Sequence, residues 1–191
     1  MIIDQQEFNV KGLTYSIRSA MEKDAEGLSS LRVQIDGETE YMDREQGEGY
    51  IDPARFEKII RLDSEKERNL FLVTIVKGKI VGYSRCEGVD LKRFSHKVEF
   101  GVCVAKEFWG YGIGKKLLEL SIDWADTNGI EKMNLNVVGT NDKAMELYRR
   151  MGFEIEGTLK KDRRHADGRY YDTVMMGRFR AEGRSWLANI R

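Results

Sequence analysis

The sequence predicts an α/β fold, one mixed sheet with helices on its faces, and three observations carry that expectation. Runs with period-two alternation are interleaved with runs of helical spacing. The segment Ile113 to Asn128 is strongly amphipathic, and no repeat, low-complexity tract or linker divides the chain. Strands and helices mixed in this order pack as helices on a sheet. A chain of 191 residues buries roughly 70% of its unfolded surface as one domain, so a single domain is expected over residues 1–191 with its core at about 13–180.

Leu13 to Arg18 alternates like a short strand, and Ser19 to Ile35 shows helical spacing through Ala25, Leu28, Leu31 and Ile35. Periodicity disappears from Asp36 to Asp52, where glycines and acids accumulate, and the only proline, Pro53, opens a helix to about Leu62. Leu70 to Val76 and Lys79 to Arg85 are strands joined by a Lys77-Gly78 turn, and Lys97 to Val104 is a further strand. Ile113, Leu117, Leu120 and Trp124 then mark one face of a helix that Gly129 stops. Lys132 to Val138 is a strand, and Asn141 caps a helix with the stripe Ala144, Leu147, Tyr148 and Met151, ended by Gly152. Phe153 to Arg164 and Arg169 to Arg178 form two last strands around Asp167-Gly168. The tail from Ala181, with Trp186, carries weak signals.

Composition narrows the function. Basic and acidic residues balance at 32 each, so no global positive field favours nucleic acid as a partner. The N-terminus has no apolar core, and the longest apolar run, Leu70 to Val76, is too short to span a bilayer. No membrane partner is expected, and a cytoplasmic location is the default. Two cysteines, Cys86 and Cys103, lie in strand-like runs without CxxC spacing, and with two histidines in the chain no metal site is expected.

The most informative segment runs from Val104 through Trp109-Gly-Tyr-Gly-Ile-Gly-Lys115 to Leu118. Gly110, Gly112 and Gly114 lie between a strand and the start of an amphipathic helix, where backbone N–H groups and the helix dipole favour an anion, above all a pyrophosphate. A Walker loop is excluded, because Lys116 stands where Ser or Thr is needed and Trp109 where the first Gly is needed. A dinucleotide fingerprint fits poorly, since the spacing is GxGxG and the loop comes late in the fold. A plain tight connection from strand to helix is the bland alternative.

With these residues the sequence resembles the Gcn5-related N-acetyltransferase superfamily (GNAT). Gly112 and Gly114 match its acetyl-CoA loop, while Trp109 replaces the usual Arg or Gln, which removes a side-chain contact and leaves the backbone cradle. A second block, Asn141-x-x-Ala144-x-x-Leu147-Tyr148-x-x-x-Gly152-Phe153, also matches, as do Ile17-Arg18-x-Ala20 and Asp24-Ala25. Glu99 to Val104 and Gly157 to Asp172 look like the subgroup of phosphinothricin-type and ribosomal-protein-type enzymes. The resemblance implies a central, mostly antiparallel twisted sheet of about seven strands with helices on both faces, and an acetyl-CoA-dependent acetyltransferase without a metal. It also implies direct transfer of acetyl to a primary amine of a small molecule or peptide. A catalytically weak acyl-CoA-binding domain of the same fold is the alternative, and a homodimer is compatible with either.

The resemblance assigns Val102 and Val104 to backbone contacts with the pantetheine arm, and Tyr148 to protonation of the departing thiolate. Trp109, Gly110, Tyr111, Gly112, Gly114 and Lys115 would hold the pyrophosphate. Asn141 reads equally as a helix cap and as a contact to pantetheine or the substrate amide. Strand alternation puts Val98, Phe100, Val102 and Val104 on one face, with Glu99, Gly101 and Cys103 on the other. Glu99 is the candidate base, because an amine of pKa about 10 is only about one part in a thousand neutral at pH 7. Cys103 lacks any His or Asn motif to make it a nucleophile, and His96 and His165 are expected in solvent. For the acceptor, the loop holds seven acids, Asp36, Glu38, Glu40, Asp43, Glu45, Glu48 and Asp52, against Arg44 alone. Such a loop would favour a cationic amine, with Glu38, Tyr41 and Glu99 as acceptor-binding candidates.

Overall fold

The computed structural model describes residues 2–180, so the tail that contains Trp186 lies outside the described residues. Eight strands and four α-helices follow the expected alternation. The strands are β1 (Gln6–Val10), β2 (Leu13–Ser19), β3 (Leu70–Val76), β4 (Lys79–Gly88), β5 (Lys97–Val104), β6 (Lys132–Val138), β7 (Glu154–Arg164) and β8 (Tyr170–Phe179). The helices are α1 (Ala25–Glu38), α2 (Pro53–Glu65), α3 (Ile113–Thr127) and α4 (Asp142–Arg150). The sheet order is β1-β2-β3-β4-β5-β6-β8-β7, and among the described pairings only β5 with β6 is parallel.

The sheet therefore has eight strands rather than about seven. The extra one, β1, forms a hairpin with β2 through Lys11 and Gly12, both at positive φ (52° and 81°). Two successive left-handed residues give the twist a two-residue hairpin needs. The first helix also starts later than its periodicity suggests. Ser19 closes β2, a 3₁₀ turn occupies Glu22–Asp24, and α1 begins at Ala25 and runs on to Glu38. The cause is Arg18, whose guanidinium grips Asp24 through two bonds of 2.6 and 2.9 Å, while Asp24 also accepts from the Met21 amide. That clamp fixes the turn and delays the helix.

The described chain forms two compact units, residues 2–87 with Val102–Ser121, and Gly88–Gly101 with residues 122–180. In the first, Ala25 and Leu28 of α1 and Phe56 and Ile60 of α2 pack with Phe71 and Val73 of β3. Asp52 caps α2 by accepting from the Arg55 amide, and Pro53 follows at the position where its missing N–H costs nothing. A neighbouring cluster joins Leu31 and Ile35 of α1 to Cys103 and Ala105, with Met42, Tyr83 and Phe108 against it. In the second unit, Met133, Leu135 and Val137 of β6 and Val174 and Met176 of β8 are buried, and the two strands pair over seven residues. The buried stripe of α4 is Met145, Tyr148 and Met151, so Met145 takes the place expected for Ala144 and Leu147.

Arg178 of β8 makes two bonds, 2.7 and 2.8 Å, to Asp126 at the end of α3, with both side chains 8% exposed. Removing one partner of a buried pair leaves the other charge uncompensated. Asp126→Ala is expected to lower unfolding free energy by about 3–5 kcal/mol, measured as a fall in the urea midpoint.

Candidate active site

The glycine loop sits in the first unit, between the end of β5 and α3. Gly110 and Gly112 adopt φ of 84° and 75°, a region costly for side-chain-bearing residues. A Cβ on Gly112 would meet only ordinary contacts, Val10 Cγ1 at 3.9 Å and the Tyr15 hydroxyl at 4.0 Å. Backbone conformation, not crowding, is what requires glycine there. The first bond into α3 runs from the Lys116 amide to the Gly112 carbonyl at 2.9 Å, so the amides of Ile113, Gly114 and Lys115 lack intrahelical acceptors. Beneath the loop the Tyr15 hydroxyl is buried without a hydrogen-bond partner. Burial first, and the charge of Glu119 second, push its pKa up. Open amides at a helix start, with an orphaned donor beside them, fit an anionic group such as a pyrophosphate.

The Trp109 side chain is held back against the strand that precedes the loop. Its indole N–H donates to the Val104 carbonyl at 2.7 Å and leaves the ring 45% exposed. The Val104 carbonyl is thus already engaged within the chain. Lys115 extends into solvent with a 3.3 Å ion pair to Glu119, and Lys116 pairs with the same carboxylate at 2.7 Å. Tyr111 is half-buried on the loop.

β5 pairs with β6 only at Lys97, Val98 and Glu99, opposite Lys132, Met133 and Asn134. Along β5, Val98, Phe100 and Cys103 are buried, Gly101 is exposed, and Val102 and Val104 are half-buried. Cys103 packs against Leu31 and Ile35 of α1, and a Cβ on Gly114 of α3 would stand 3.9 Å from Val104 Cγ2, so these two neighbours point to opposite faces as strand alternation requires. Cys103 is 8% exposed, burial pushes its thiol up to about 12, and it is bonded to the Tyr83 hydroxyl. Burial thus keeps it a protonated core thiol.

In the second unit Glu99 is exposed on β5, directly across from Asn134, and its Oε1 lies 3.5 Å from the Nδ2 of Asn136. Asn136 was not singled out by the sequence. A polar pair one step along β6, Asn134 and Asn136, is the only trace it leaves there. Asn141 caps α4 by accepting from the Ala144 amide at 3.3 Å, which leaves its NH₂ group unused by that bond. Tyr148 is 9% exposed, with its ring 5.8 Å from that of Phe153. Burial pushes its pKa up to about 12, so the phenol stays protonated at neutral pH. His165, expected in solvent, stacks on Tyr171 with ring centroids 4.1 Å apart.

The acidic loop is tied down in the first unit. Asp36 is buried and paired with Arg44 at 3.1 Å, and the Glu48 carboxylate accepts from the Glu45 amide. Glu38 accepts from Gln34 and from the Lys106 amide at 2.7 Å, which joins the end of α1 to the residues just after β5. Tyr41 is 37% exposed. Among the described residues no cluster of metal-ligating side chains occurs, and no helix is long and apolar enough to cross a membrane.

Sequence comparison places the chain in a family. The profile of the Acetyltransferase (GNAT) family matches residues 35–153, more than half of the chain, and the chain belongs to that family. The L-amino acid N-acetyltransferase of Escherichia coli K12 is 32% identical over 108 residues, covering 56% of this chain and 66% of that protein. The chain thus matches about two thirds or less of its first curated relatives' own length. The ribosomal-protein-alanine N-acetyltransferase of Brucella melitensis has a TM-score of 0.75 at 26% identity, over 85% of this chain and 98% of that one. The phosphinothricin acetyltransferase of Sinorhizobium meliloti, solved with acetyl-CoA, shares the fold with a TM-score of 0.78 at 22% identity, over 88% and 90% of the two chains. Both enzyme types that the sequence resembles are therefore among its structural neighbours.

Burial of both cysteines gives a direct test. Cys86 and Cys103 each have thiols pushed up to about 12 by burial, so at pH 8 about one thiol in ten thousand is thiolate. A thiol reagent is expected to label neither until denaturant is added, and Cys103→Ser is expected to keep its far-ultraviolet spectrum.

Proposed function

We propose that this chain is an acetyl-CoA-dependent N-acetyltransferase that transfers acetyl to a primary amine by direct attack in a ternary complex. The observation that carries the proposal is the loop at Gly110 and Gly112, held in left-handed conformations ahead of the open amides of α3. A family profile over residues 35–153 and relatives named as N-acetyltransferases support it. The co-substrate supplies an activated thioester carbonyl. The amides of Ile113, Gly114 and Lys115 would hold its pyrophosphate, with Gly110, Tyr111 and Gly112 forming the turn that exposes them. Val102, and the amide rather than the engaged carbonyl of Val104, would bind the pantetheine arm.

Glu99 is assigned as the acceptor of the amine's proton, directly or through a water, with Asn136 restraining its carboxylate. Tyr148 is assigned to the leaving thiolate. A phenol at about 12 holds its proton more tightly than an ordinary thiol of pKa about 8.5, so its contribution is a hydrogen bond to the thiolate rather than complete proton transfer. The unengaged NH₂ of Asn141 can bind a carbonyl of the pantetheine or the substrate. Most of the rate comes from holding the reactants together. The acceptor enters as an ammonium ion, for which Glu38 and Tyr41 of the acidic loop provide the approach.

Release of free CoA from acetyl-CoA with a panel of primary amines tests the assignment. Tight acetyl-CoA binding with no release for any amine would instead identify a non-catalytic acyl-CoA-binding domain. Gly112→Val is expected to abolish acetyl-CoA binding in calorimetry while the chain stays folded, and near-native affinity would remove the loop from the site. Tyr148→Phe is expected to lower kcat about 10- to 100-fold, the worth of one hydrogen bond to a charged group, with acetyl-CoA affinity kept. Glu99→Gln should depress the low-pH limb of the rate profile, and a profile superimposable on the parent would exclude Glu99 as the base.

A further inference from the structure

Among the arginines that anchor this fold, the ion-pair partner is regularly an aspartate. Arg18 pairs with Asp24, Arg44 with Asp36, Arg85 with Asp63 and Arg178 with Asp126. Arg32 on α1 is the departure. It is 8% exposed, as buried as Arg18, yet its described bond is a single one of 2.6 Å to the Gly49 carbonyl, and no carboxylate pairs with it among the described residues. A guanidinium carries five donors in a planar fork suited to a carboxylate. One neutral carbonyl satisfies one of those donors and none of the charge. A buried cation left without a counter-charge is costly to the fold, and α1 keeps it at a position on the apolar side of the helix, between Leu28 and Ile35.

The surroundings of Arg32 point to a ligand. Gly49 has φ +54°, and a Cβ there would stand 3.8 Å from Arg32 Nη2 and 3.7 Å from Arg44 Cδ, so both guanidinium side chains border the same turn. Arg44 is already neutralised, with Nε and Nη2 on Asp36. Asp43 adds its charge to that of Asp36 around Arg44, and Arg32 is the guanidinium at this turn that no described carboxylate bonds. Tyr83 lies in the field of both arginines, and its ring packs with Leu31, Ile35 and Cys103. Cys103 is on β5, and Glu38 on the same helix as Arg32 holds the Lys106 amide just past that strand. The unpaired cation thus belongs to the layer laid over the end of β5, immediately ahead of the glycine loop.

We infer that Arg32 binds a carboxylate of the acceptor, beside the Tyr83 hydroxyl, so that the acceptor is a zwitterion of the α-amino acid class rather than a polyamine. Arg32 spends Nη1 on the Gly49 carbonyl, and the rest of its planar fork matches a carboxylate. The ammonium end of the same molecule is the end that the acids of the 36–52 loop favour. This inference rests on the N-acetyltransferase reading and specifies the acceptor at that site.

The test compares the twenty common L-amino acids with their carboxamides as acceptors, following CoA release. The parent protein is expected to prefer acids over amides by at least about tenfold in kcat/KM. Arg32→Gln should bring that ratio close to one, Arg32→Lys should restore part of it, and KM for acetyl-CoA should not follow the change, which separates an acceptor carboxylate from a phosphate of the co-substrate. Equal use of acids and amides by the parent, or an equal fall for both in Arg32→Gln, overturns the inference and leaves Arg32 as a prop for Gly49. Should the glutamine variant not fold, the parent's ratio alone decides. If no acceptor releases CoA, the acetyltransferase reading fails, and calorimetry of the same acids and amides with CoA present decides for Arg32: tighter binding of the acids supports it, and no discrimination overturns it.

Discussion

Buried backbone amides and carbonyls must find partners, and β5 meets that requirement piecemeal. Its first three residues pair with β6. At the other end, the Ala105 amide donates to the Val81 carbonyl and the Val104 carbonyl takes the indole N–H of Trp109. Between those ends Cys103 packs into the core against Leu31 and Ile35 of α1. The strand therefore delivers the chain to the glycine loop in a fixed direction, and Trp109 acts as a strut from that loop back to the strand. A residue that departs from the family's loop pattern keeps a structural task, while the amides that follow it stay free.

Charge burial organises the remainder. Four Arg-Asp pairs hold β2 to the turn before α1, α1 to its loop, α2 to β4, and α3 to β8. Each places a guanidinium against a carboxylate with two bonds, the geometry in which a desolvated pair comes nearest to balancing its desolvation cost. Because that solution recurs, a buried arginine held only by a carbonyl stands out as a position the fold tolerates without completing. The same reasoning separates the tyrosines. Tyr15 and Tyr148 are both buried, but the oxygen of Tyr15 is shut in beneath the loop without a partner, whereas the ring of Tyr148 packs against that of Phe153 in the second unit.

Local signals made much of the fold legible in the sequence. The helix from Ile113, the cap at Asn141 and the Lys77-Gly78 turn depend on residues close in the chain, and each is present, with Gly78 at φ 80° and Asn141 bonded to the Ala144 amide. What failed depended on distant partners. β1 is an edge strand whose five residues are mostly exposed, so its alternation is faint without β2 beside it. The burial of Cys103 comes from packing against α1 and the loop after it, which no period within the strand encodes. For the candidate site, the glycine loop and Tyr148 were legible as chemistry, but Asn136 and Arg32 were not. Arg32 did leave a signal, because it sits four residues beyond Leu28 and three before Ile35, on the stripe that helical spacing marks as buried. A charged residue at such a position asks for a partner.

The acidic loop shows why a count of charges is a poor guide to a field. Seven acids against one base in 36–52 suggest a strongly negative surface, yet the fold engages several of them locally. Asp36 neutralises Arg44, Asp52 caps α2, Glu48 holds the Glu45 amide, and Glu38 holds the Lys106 amide. A carboxylate that accepts backbone N–H bonds keeps its charge but has its direction fixed by them, so what reaches an incoming molecule is a set of oriented acceptors rather than a diffuse negative cloud. With Arg32 set one turn before Asp36 on the same helix, the layer presents opposite charges within a few residues. A surface of that kind discriminates by the spacing between an amine and an acid group, a narrower criterion than net positive charge and one that a polyamine satisfies at only one end.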